Sequence, residues 1–168
     1  MEAAKGLADH MEKWISWVPG VGTYRDREKR RETDKRIREY LAGGLQDTRS
    51  QLKRAMLDFS RKGKADLLID LDHLSAQIQQ MADTIRYASY GYGGIFDLDK
   101  VREEEISRLC SFDLSLKEGA EKLKVKIGEI TLELSNTELR RKIHEAGAVV
   151  VSLQEKYRRR KDFMGRRA

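Results

Sequence analysis

An all-α fold is predicted, an antiparallel bundle of about four main helices with coiled-coil-like packing, preceded by an N-terminal amphipathic helix. Three observations carry that expectation. Charged residues make up 37% of the 168 residues and apolar ones 39%, with a single proline, a balance that favours long solvated helices over a loop-rich β design. Leu67, Leu71, Leu74, Ile78, Met81, Ile85 and Ala88 step alternately by four and three, the heptad signature of a helix with one buried seam. Glycine-rich breaks punctuate the periodic segments at Pro19-Gly20-Val21-Gly22, Lys62-Gly63-Lys64 and Gly91-Tyr92-Gly93-Gly94.

Residues 1–18 place Met1, Ala4, Leu7, Ala8, Met11, Trp14, Ile15 and Val18 on one helical face, opposite Glu2, Lys5, Asp9, Glu12 and Lys13. Val18-Pro19 and the following glycines stop this helix, so residues 1–22 read as an amphipathic helix and hinge, 23–160 as the bundle and 161–168 as a basic tail. Thr23 is the expected N-cap of a second helix reaching about Arg61, with Ile37, Leu41, Leu45, Thr48, Leu52, Met56 and Phe59 inward. Gly43 and Gly44 interrupt it and predict a kink or a close helix approach. The heptad helix after Lys64 is expected to end at Tyr90. The next, from Asp97, carries Ile106, Leu109, Asp113, Leu116, Ala120, Leu123, Ile127 and Ile130 in core phase. The last begins near Asn136 and carries Leu139, Ile143, Ala146, Val150, Leu153 and Tyr157. Between these two, Val125 to Leu134 is rich in β-branched residues; helix with a break near Ser135 is preferred to a strand, and one continuous helix stays open.

Charge is segregated along the chain: net +7 over residues 19–64 and +6 over 136–168, against −4 over 65–100 and −2 over 101–135. Either the oppositely charged helices are neighbours or the basic ones meet an acidic partner. Residues 25–36 contain no apolar side chain, so this segment is expected to lie on a surface as a salt-laced helix or to dock through Arg27, Arg30, Arg31 and Lys35. Arg158, Arg159, Arg160 and Lys161 extend the basic docking set at the C-terminus. Leu7, Met11, Trp14 and Trp17 are the corresponding membrane or partner contacts, because tryptophans at the end of an amphipathic helix suit a bilayer interface; folding back onto the bundle as a fifth element is the competing placement.

Chemistry-bearing motifs are sparse. His10, His73 and His144 are isolated in sequence, Cys110 is the lone cysteine, and Asp66, Asp70 and His73 share a face without a second set of ligands, so no catalytic group, metal or cofactor is expected. Asp113 in a core position should be paired, and Arg86 or Arg54 is the expected partner, fixing helix register. The tyrosines around Gly91-Tyr92-Gly93-Gly94 read as an aromatic plug at a bundle end. With no long apolar run and no export signal, the chain is expected in the cytoplasm, peripheral to a membrane at most. The function expected is that of a non-enzymatic scaffold or adaptor docking through basic helical surfaces, with an anionic membrane first among partners. A nucleic-acid-binding protein, a protein partner and a self-associating coiled-coil homo-oligomer are the alternatives.

Overall fold

The computed structural model describes residues 18, 24, 26, 29–89, 98 and 101–165. Within them the chain forms four long helices, α1 Arg30–Arg61, α2 Leu68–Arg86, α3 Glu103–Gly128 and α4 Asn136–Met164, with a short 3-10 turn at Ala65–Leu67. The amphipathic segment before Val18 and the glycine-tyrosine segment 90–97 lie outside the described residues.

The heptad positions do what their spacing requires. Leu71, Leu74, Ile78, Met81 and Ile85 of α2 are buried, as are Ile37, Leu41, Leu45, Leu52 and Phe59 of α1, and they meet the inward stripes of α3 and α4 in one core. Consecutive helices are antiparallel. Gln46 and Arg49 of α1 reach Gln79 and Ser75 of α2, and Lys126 of α3 reaches Glu145 of α4. The two hairpins then stack with like-directed helices side by side: α1 parallel to α3, and α2 parallel to α4, where Arg140 lies against Asp70. Helices α1 and α4 therefore occupy diagonal corners, and each basic helix has the two acidic segments as its neighbours. Of the two readings of segregated charge, this is the internal one. Arg140 pairs with Asp66 and Asp70, while Lys142 pairs with Glu129.

Helix ends depart from the sequence expectation for identifiable reasons. Tyr24, Asp26 and Lys29 stand in turns and bends, so α1 starts at Arg30 rather than just after Thr23. The Arg30 side chain donates to the Tyr24 carbonyl at 2.7 Å, which holds that turn. Helix α2 stops at Arg86, short of Tyr90, where the Arg38 guanidinium takes the terminal carbonyls of Ile85 and Arg86. Helix α3 begins at Glu103, not Asp97, with the Arg102 N–H donating to the Glu105 carboxylate at 2.9 Å.

The Val125–Leu134 segment is not a strand. Ile127 and Ile130 continue the buried stripe while Val125 is exposed, so helical phase outweighs β propensity, and α3 runs to Gly128. Nor are α3 and α4 continuous. Lys64 donates to the carbonyls of Leu132 and Leu134, and Ser135 with Glu138 forms a capping box that starts α4 afresh. At the other end α4 runs to Met164 with Phe163 and Met164 buried, so residues 161–164 belong to the bundle and not to a tail.

Glycine enables a close helix approach, but not where expected. Helix α1 passes through Gly43 and Gly44 unbroken, and a Cβ on either would meet nothing within 4 Å. On α3, a Cβ at Gly119 would stand 2.6 Å from Cδ2 of the buried Leu153 on α4. Gly119→Ala is expected to destabilise by about 1–3 kcal/mol despite alanine's better helix propensity, because overpacking in a tight core outweighs it. A urea titration of the two proteins checks this, and an unchanged midpoint would mean Leu153 yields freely.

Candidate functional site

Continuing each buried stripe by one heptad step leads to charged residues. Backward from Ile37, steps of three and four reach Asp34 and Arg30; forward from Tyr157, they reach Arg160 and Met164; Asp113 sits four beyond Leu109. All of these are buried. They converge at the end of the bundle where α1 begins and α4 finishes.

Arg160 is the hub. Its Nε donates to Asp113 Oδ1 at 2.6 Å and its Nη2 to Asp34 Oδ1 at 2.8 Å and to the Tyr24 hydroxyl at 3.1 Å. Its Nη1 lies 2.8 Å from the Met164 sulfur. The Tyr24 hydroxyl in turn donates to Asp113 Oδ2 at 2.9 Å, and Arg38 Nε donates to Asp34 Oδ2 at 2.8 Å. Arg30 joins from the edge, donating through Nη1 to the Leu98 carbonyl at 2.6 Å. The cluster thus ties α1, α3 and α4 to the segment before α1 and to the connection before α3, and Arg38 adds the end of α2.

Burial governs its protonation. It pushes the Asp113 carboxyl above the usual carboxylate range, opposed by the Arg160 charge and hydrogen bond, and pushes the Tyr24 hydroxyl well above its ordinary value, helped by Asp113. The neighbouring Cys110 thiol is pushed up to about 12, first by burial and then by Asp113, so it is a poor nucleophile at neutral pH. With its donors and acceptors turned on one another, this arrangement suits holding helices in place.

The structure places the sequence-derived candidates unevenly. Asp113 is paired, but with Arg160 instead of Arg86 or Arg54: α2 lies diagonally across from α3, and Arg54 is toward the opposite end of α1. Arg30 and Arg160 are withdrawn from the basic docking set because both are buried, and the expectation that residues 25–36 avoid the core fails at Arg30, Thr33 and Asp34. Arg31, Lys35 and Lys161 are exposed. Arg158 and Arg159 share the Glu155 carboxylate, and Arg158 also reaches Asp162. Leu7, Met11, Trp14, Trp17 and Arg27 lie outside the described residues. Asp66 and Asp70 are taken up by Arg140, and among the described residues no group of three His, Cys, Asp or Glu could hold a metal ion. Tyr24 and Asp34 were missed. For Asp34 the signal was the heptad phase, hidden by a run of charges.

Comparison with protein-family models, with curated proteins and with solved structures finds no match.

Removing the hub alone leaves the buried Asp113 without its counter-charge and Asp34 with Arg38 only, so Arg160→Ala is expected to cost about 3–5 kcal/mol, whereas Tyr24→Phe should cost about 1 kcal/mol. Equilibrium denaturation measures both; equal effects would refute a hub role for Arg160.

Acid sensitivity comes from elsewhere. Hydrogen bonds from Arg158 and Arg159 lower the exposed Glu155 carboxyl from 4.5 to about 2, and Glu129, Glu138 and Glu145 are lowered as well. Because these folded values lie below the unfolded ones, their contribution is complete above 4.5 and is lost as pH falls through the folded values. Asp113 acts in the opposite sense, its raised value favouring the folded state as pH falls toward 3.8. The urea midpoint should therefore drop between about pH 5 and about pH 2, and drop less in Glu155→Gln.

Proposed function

We propose that the chain is a non-enzymatic helical adaptor that docks through the basic end of its bundle on an anionic membrane surface. The observation that carries this reading is the 2.8 Å contact between Arg160 and Asp34, which draws the start of α1 and the finish of α4 to the same end of the molecule. Two basic stretches more than a hundred residues apart in sequence thereby contribute to one end. Residues 29–39 carry six bases and three acids, and residues 155–165 five bases and two acids, of which Arg30, Asp34 and Arg160 are buried. Arg31, Lys35, Arg159 and Lys161 are exposed there. A cluster of cations within a Debye length of an anionic leaflet adds about 1 kcal/mol of binding per side chain, without requiring a shaped pocket. No described helix is long and apolar enough to cross a membrane, so contact in this reading is with the surface.

Co-sedimentation with neutral and with anionic vesicles at low and moderate salt tests it. Anionic vesicles alone should retain the chain, and salt should release it. The triple variant Lys35→Gln, Arg159→Gln, Lys161→Gln should bind about a hundredfold more weakly while keeping its helicity. Equal behaviour toward neutral and anionic vesicles would remove the proposal.

A further inference from the structure

Two of the apolar side chains that the bundle leaves outside meet on one surface. Leu57 on α1 is 59% exposed and Ile69 on α2 is 66% exposed, and both line a shallow depression of about 650 Å³ on the outer face of the α1–α2 hairpin. Met56 and Leu68, partly buried against the core, line it as well. Leu57 and Ile69 stand off the inward stripes, which pass through Leu52 and Phe59 on α1 and through Leu67 and Leu71 on α2. A lone exposed leucine is ordinary; four apolar side chains gathered inside a charged rim mark a contact surface. The rim includes Lys53 on α1 and Asp72 on α2, both exposed, and among the described residues neither side chain takes part in an ion pair.

The register of the hairpin says what fits there. Gln46 bonds to Gln79 and Arg49 to Ser75 across the antiparallel pair, so each step forward on α1 is a step back on α2. Continuing that register, Lys53 comes level with Asp72, Met56 with Ile69 and Leu57 with Leu68. At every level α1 and α2 offer complementary groups, cation with anion and apolar with apolar. A two-fold axis along the hairpin, midway between its helices, keeps each residue at its level and exchanges the helices, so that α1 of one copy lies over α2 of the other. Lys53 then faces the partner's Asp72, Met56 the partner's Ile69 and Leu57 the partner's Leu68, each contact made twice. An anionic lipid surface or a polyanion would instead set Asp72 against like charge.

We propose that the outer face of the α1–α2 hairpin is a self-association surface that joins two copies of the chain about this two-fold axis, with Leu57 and Ile69 at its centre and reciprocal Lys53–Asp72 ion pairs at its edge. This goes beyond the membrane reading and does not rest on it.

Four apolar side chains per copy make a small contact, so the dimer is reversible and is read over a wide range of concentration. Sedimentation equilibrium in lipid-free buffer should show the mean mass climbing from one chain toward two and no further, since a two-fold contact closes. Leu57→Gln with Ile69→Gln should weaken association about a hundredfold, each loss counting twice, with far-UV ellipticity retained because both side chains are exposed in the single chain. Val125→Gln, on the exposed surface of α3, should leave it unchanged. Charge exchange is the sharper arm. Lys53→Glu sets a carboxylate against the partner's Asp72, and Asp72→Lys sets an ammonium against the partner's Lys53, so each alone should weaken association about tenfold. Mixed in equal amounts, these two variants have opposite charges at both contacts and should form a heterodimer of about the parental strength. A chain that stays single throughout, association that survives the loss of Leu57 and Ile69, or charge variants that fail to rescue each other would each overturn the proposal. Retention by anionic vesicles without self-association would remove it too, while leaving the membrane reading in place.

Discussion

One guanidinium, that of Arg160, is shared by carboxylates from two other helices, Asp34 of α1 and Asp113 of α3, and by the hydroxyl of Tyr24 before α1. Charges this deeply buried are tolerable only when fully paired, so the arrangement ties the register of three helices together. Sliding α4 by one turn would remove the guanidinium and leave Asp113 in the core without a counter-charge, a far larger penalty than misplacing a leucine within a uniform seam. Leucines and isoleucines elsewhere in the core supply burial without saying which turn meets which; the ionic cluster supplies that information.

The same contact explains the layout of charge. Because Arg160 reaches Asp34 across the core, the two basic helices stand at diagonal corners and each faces the acidic segments. Arg140 against Asp66 and Asp70, and Lys126 and Lys142 against Glu129 and Glu145, are the surface expression of that pattern. Much of the positive charge along the sequence is therefore spent inside the molecule. The exposed Arg31, Lys35, Arg159 and Lys161 stand at the end where α1 starts and α4 finishes, and the proposed docking rests on that end and not on net charge.

That end is also where the chain enters the bundle. Tyr24, the first residue of the ionic cluster along the chain, joins it through its hydroxyl on Asp113.

By itself the sequence determined the helical class, the four inward stripes and the burial of Asp113, because hydrophobic periodicity is a local property that survives without knowledge of neighbours, while it left open whether the last two helices were one. It misled at residues 25–36 and at Arg158 to Lys161, where dense charge hid the continuation of the heptad phase to Arg30, Asp34 and Arg160. It also misplaced the close helix approach, assigning to Gly43 and Gly44 what the bundle makes at Gly119. Only the tertiary structure decided which carboxylate meets which guanidinium, which helices run side by side in the same direction and which end gathers the basic stretches. Those outcomes depend on contacts between residues far apart in the chain, such as the 126 positions separating Asp34 from Arg160, and spacing along one helix carries no record of the helix packed against it.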